Sequence, residues 1–161
     1  MTRRIVLGVA VIAGVVLFTP PESVRSQPKP AVPAPRLEPV AETKLLMEGL
    51  AKANFDGLAR LLKQKPADME AWSFARGQGL LIAETGNLLM MRPPATKDAQ
   101  EKWMQRSVDL RLAGTQLAKA AASKDYLATR AAFANLANTC NRCHVTFQVP
   151  TRLDPAEVPP D

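Results

Sequence analysis

Near the C-terminal end, Cys140-Asn141-Arg142-Cys143-His144 places two thiols and an imidazole within five residues. The pattern C-x-x-C-H points to covalent attachment of a c-type haem. In that chemistry the two thiols add to the haem vinyl groups as thioethers. The imidazole of His144 then binds the iron as proximal ligand. These are the chain's two cysteines and its one histidine. A redox dithiol would normally accompany a βαβ pattern, which the sequence lacks. A zinc site would need a second ligand cluster to complete four-coordination. A structural disulfide between Cys140 and Cys143 is the remaining alternative for an exported chain.

The elements that must position these groups read as helices. Alanine is frequent, and the chain holds one tyrosine and five phenylalanines, a composition that favours helix over a β-sandwich. Four helical stretches follow within residues 40–149. The first runs from about Val40 to Gln64. Pro66 ends it and opens the second, which reaches about Met91, before Pro93 and Pro94 break the chain. Thr96 is the expected N-cap of the third, reaching about Ala122, and Ser123 that of the fourth, which carries the motif. Connections this short make sequential helices antiparallel neighbours.

Periodicity shows which faces turn inward. The second stretch aligns Trp72, Ala75, Gly79, Ile82, Gly86 and Leu89. The third aligns Trp103, Ser107, Leu110, Gly114, Leu117 and Ala121. The fourth aligns Tyr126, Thr129, Phe133, Leu136, Cys140, Cys143 and Phe147. Steps of three and four make these bundle-core stripes. Cys140 falls on the inward stripe, with Cys143 and His144 beside it on the same face. A haem attached there hangs into the bundle. Repeated glycines in the second stretch imply close backbone approach, to a neighbouring helix or to the porphyrin.

The expected organisation is therefore all-α, an antiparallel four-helix bundle behind a leader. In residues 1–26, Arg3 and Arg4 precede an apolar or glycine run of 14 residues, Ile5–Phe18. That suits a signal peptide and is short for a membrane span. An uncleaved anchor is the alternative, and would tether the protein to the membrane. Residues 20–39 hold seven prolines, so 27–39 reads as an extended linker. Residues 150–161 read as a flexible tail. Export places the protein in the periplasm.

With these features the chain resembles the cytochrome c′ family over roughly residues 38–149. Its members share a signal peptide, four antiparallel helices, and C-x-x-C-H in the last helix. Lys44-Leu45-Leu46-Met47-Glu48-Gly49-Leu50 also looks like the family's first helix. The resemblance implies one haem c per chain, with Cys140 and Cys143 as thioether sites and His144 as iron ligand. The family draws the distal residue from its first helix, where Met47 matches. A methionine that ligates iron goes with electron transfer between redox partner proteins. A non-ligand there leaves five-coordinate iron that binds gases such as NO and CO. Met90, Met91 and Met104 are lesser candidates, and ordinary packing is the bland role for any of them. Relatives often pair through their first two helices, so a homodimer is an expectation by analogy. The family usually carries a basic residue four positions after the haem histidine. Here that position is Gln148, with Arg152 four further on.

Formal net charge is +6, and cleavage after Ser26 would lower it to +4. Without a basic run interleaved with aromatics, this is no nucleic-acid signature. The excess suits docking to an acidic redox partner. Lys97, Lys102, Arg106 and Arg111 read as a solvated face. No acid–base pair accompanies the motif, so an electron carrier or gas binder is expected and an enzyme is not.

Overall fold

The structure, a computed structural model, describes residues 36–156; the expected leader at 1–26 and most of the linker at 27–39 lie outside them. Residues 36–40 have no regular structure. Four helices and no strand follow among the described residues. Helix α1 has three parts, α-helical at Thr43–Leu46, π-helical at Met47–Lys52 and α-helical again at Ala53–Leu61. Helix α2 spans Met69–Met90, α3 Lys97–Ala122 and α4 Tyr126–Thr146.

Local chemistry sets these limits, and some differ from expectation. Val40 is 98% exposed and has nothing to pack against, so α1 begins at Thr43. At its other end the Leu62 carbonyl accepts from Tyr126 Oη at 3.0 Å and Arg130 Nη1 at 2.9 Å. These donors on α4 satisfy an end-of-helix carbonyl. Helix α2 starts at Met69 and not at Pro66, because Asp68 caps it, accepting from the Ala71 N–H at 2.8 Å. Ser123, expected to cap α4, closes α3 instead, its hydroxyl donating to the Lys119 and Ala120 carbonyls. Asp125 caps α4 through the Ala128 N–H at 3.0 Å.

Contacts between neighbours run in opposite chain order, so sequential helices are antiparallel. Gly79 and Gly86 of α2 meet Gly114 and Ser107 of α3. Trp103 and Arg106 of α3 meet Phe147 and Thr146 at the end of α4. Phe55 and Leu62 of α1 meet Phe133 and Tyr126. Leu58, Leu62, Ile82, Leu117, Phe133 and Leu136 form the fully buried centre. The stripes named above face it: Ser107, Leu110, Gly114, Leu117 and Ala121 are buried on α3, and Thr129, Phe133 and Leu136 on α4. The buried hydroxyls of Thr85, Ser107, Thr129 and Thr139 each donate to the carbonyl four residues back, which meets the cost of placing them inside.

The glycines serve the α2–α3 seam. A Cβ on Gly86 would lie 2.7 Å from the Ser107 carbonyl oxygen, and one on Gly114 would lie 2.7 Å from that of Gly79. Of the two roles the sequence left open, close helix packing is the one observed. No helix among the described residues is long and apolar enough to cross a membrane.

Candidate functional site

Cys140, Cys143 and His144 line a cavity of about 650 Å³ between the helices, within the range of small-molecule and cofactor sites. Helix α1 contributes Met47 and Phe55, α2 Ile82 and Leu89, and α3 Trp103 and Leu110. The walls are thus mainly apolar and come from all four helices. The motif is helical because α4 continues unbroken to Thr146, so i, i+3 and i+4 neighbours share the face that opens on the cavity.

Both cysteines are free thiols. Burial pushes the Cys140 thiol up to about 12, with the neighbouring Cys143 adding to the shift. Burial also raises Cys143, although the Arg106 guanidinium opposes the rise. Cys140 is half-buried as a residue, since one side opens on the cavity while neighbours crowd the other. Redox-active and metal-binding cysteines sit where the thiolate is favoured. This site favours the neutral thiol and suits a sulfur that becomes an uncharged thioether. Among the described residues no three His, Cys, Asp or Glu side chains form a metal cluster of their own.

His144 is held by one hydrogen bond, from Nδ1 to the Thr151 carbonyl at 2.8 Å. A carbonyl only accepts, so Nδ1 carries the proton and Nε2 keeps its lone pair. A metal-binding imidazole is usually prepared in this way. The residues fit a haem in three respects. Two neutral thiols stand at the motif spacing, one imidazole has Nε2 as its basic nitrogen, and an apolar cavity adjoins all three.

Met47 lines the same cavity from the start of the π-helical stretch. Met90, Met91 and Met104 are not among the lining residues. Single π-helical turns recur at functional sites, and nothing in the sequence pattern signalled this one.

Two features escaped the sequence reading. Arg106 is not part of a uniformly solvated face. It is half-buried, lines the cavity, and bonds Asp109 Oδ2 at 3.1 Å and Thr146 Oγ1 at 3.3 Å. Arg111 likewise donates to Asn87 on α2 at 3.2 Å. Lys97 and Lys102 are exposed as expected. The second feature is the segment after α4, whose first residues return to the helix. Asn141 and Leu153 exchange two hydrogen bonds of 2.8 Å, and Leu153 packs against the core. The flexible tail expected from Pro150 is therefore held as far as Leu153.

An all-helical bundle with C-x-x-C-H on its last helix is the arrangement expected of a haem-binding c-type cytochrome. Residues 93–148 match the family model described as Cytochrome C'. The match takes in α3, α4 and the whole motif, so the resemblance stated from the sequence stands. Comparison with curated proteins and with solved structures produced no match.

Proposed function

We propose that this protein is an exported electron carrier with one haem c joined to Cys140 and Cys143, and that His144 and Met47 ligate its iron. The observation that carries the reading is the shared cavity, where a prepared imidazole on α4 and a thioether on α1 line one apolar space. The haem would supply a one-electron couple. The protein's own part is to hold that group dry and to offer two axial donors. A methionine–histidine pair raises the reduction potential. Lys44, Lys52 and Arg106 line the cavity, each already paired with a carboxylate (Glu48, Asp56 and Asp109), and are the basic groups there that the haem carboxylates would meet. The basic, apolar leader supports export to the periplasm.

The test is an optical spectrum of the protein matured during export, oxidised and reduced, with and without carbon monoxide. Low-spin spectra unchanged by the gas in the wild type, and lost in Met47→Ala, are expected. A high-spin wild type that shifts with carbon monoxide would move the function to gas binding and leave Met47 as packing. A matured protein with no haem spectrum would sink both.

A further inference from the structure

Helix α4 ends in a turn that sends the chain back over its own last residues. Gln148 adopts φ 56°. The Val149 N–H bonds the His144 carbonyl at 2.8 Å, and the Gln148 N–H bonds that of Val145 at 3.2 Å. This is a Schellman ending, here built on a residue other than glycine. Residues 149–153 then run beside the haem motif, where Val149, Pro150, Thr151 and Leu153 line the cavity.

Two contacts tie this return segment to the motif. Asn141, the first residue between the cysteines, pairs with the Leu153 backbone in both directions, Nδ2 donating to its carbonyl and Oδ1 accepting from its N–H. The Thr151 carbonyl accepts from His144 Nδ1. That carbonyl also accepts from Arg152 Nη1 at 2.9 Å, and the same nitrogen donates to the Val149 carbonyl at 2.6 Å. The acceptor has two lone pairs and uses both.

We propose that residues 149–153 form a proximal strap, latched by Asn141, which holds the His144 ring through the Thr151 carbonyl and lowers the reduction potential of the bound haem. The inference rests on the haem reading above. Asn141 is a positioning residue, acting on His144 through the strap. Donation from Nδ1 to a carbonyl makes the other ring nitrogen more basic. A more basic ligand favours the oxidised, more positively charged iron, so the bond lowers the potential and its loss raises it.

The experiment uses the matured, haem-loaded protein with two variants, Asn141→Leu and a chain ending at Pro150. Haem content is measured first. The potential follows, and then the solvent exchange of the His144 Nδ1 proton, which belongs to the one histidine in the chain. Both variants are expected to keep haem. Their reduced-to-oxidised equilibrium should shift about tenfold toward the reduced form, ~59 mV for a one-electron couple. The Nδ1 proton should exchange at least ~10-fold faster, as loss of a protecting hydrogen bond implies. Haem-loaded variants with wild-type potential and wild-type exchange would overturn the proposal. So would loss of haem from both variants, since the strap would then serve folding and not tuning. Should Asn141→Leu alone fail to mature, the shortened chain, with every helix intact, decides. A wild type without haem would instead overturn the reading beneath.

Discussion

The α2–α3 seam carries the cavity wall formed by Ile82, Leu89, Trp103 and Leu110, and two glycines of α2 test it with opposite signs. In Gly86→Ala the new Cβ would stand 2.7 Å from the Ser107 carbonyl oxygen and 2.8 Å from the Arg111 nitrogen. Both are backbone atoms of α3, so relief requires the helices to part by roughly 0.5–1 Å to restore ordinary packing distances. Overpacking of this kind costs about 1–3 kcal/mol. Alanine's better helix propensity returns ~1 kcal/mol, leaving a net loss of up to about 2 kcal/mol. In Gly77→Ala the Cβ meets nothing within 4 Å, so the propensity gain of about 0.4–1 kcal/mol stands alone. Thermal unfolding of the haem-loaded variants, followed by circular dichroism, should move Tm down by up to ~8 °C for the first and up by ~2–5 °C for the second. Stabilisation of both to a similar degree would refute the close approach at the seam.

Gln148→Gly should stabilise the protein by about 1 kcal/mol, because glycine adopts φ 56° without the steric cost a side chain meets; urea unfolding reads the gain, and a loss would contradict the turn. Phe133→Ala should cost about 3–5 kcal/mol, since the ring is 1% exposed and its centroid lies 4.6 Å from that of Phe55; a change under ~1 kcal/mol in the same assay would count against this core. In the haem-free chain, folding raises Cys140 from 9.0 to about 12. A thiol raised in the folded state leaves stability intact below pH 9 and removes it as pH climbs from 9 toward 12, by ~1.4 kcal/mol per unit. Iodoacetamide at pH 8 should therefore modify Cys140 up to ~1,000-fold more slowly in buffer than in urea, and equal rates would show that the thiol is not shielded.

Parts of this architecture were legible because they are local and repeated. The inward stripe of α3, from Ser107 to Ala121, is buried as its spacing implies, since a helix that packs on one side writes that side into its period. Caps were less legible. Asp68 and Asp125 start α2 and α4, where Pro66 and Ser123 were expected. Which of several polar residues caps a helix depends on one backbone dihedral, and composition does not encode it. The return segment was the least legible. Its prolines and missing periodicity resemble a loose tail, while its hold comes from Asn141, twelve residues earlier.

That hold also changes the meaning of the departure from the family's basic residue after the haem histidine. Gln148 cannot extend the helical face that carries His144, because at φ 56° the helix has already ended. The turn it makes brings Arg152 back, and its guanidinium meets the Thr151 carbonyl that His144 uses. Positive charge thus reaches the proximal side by a non-helical route. A donor shared on that carbonyl draws electron density from the imidazole bond, so Arg152 opposes the strap's effect on the ligand. Arg152→Leu in the matured protein should therefore lower the reduction potential, opposite in sign to Asn141→Leu. The two measured side by side separate tuning of the ligand from general loosening, which would move both potentials the same way.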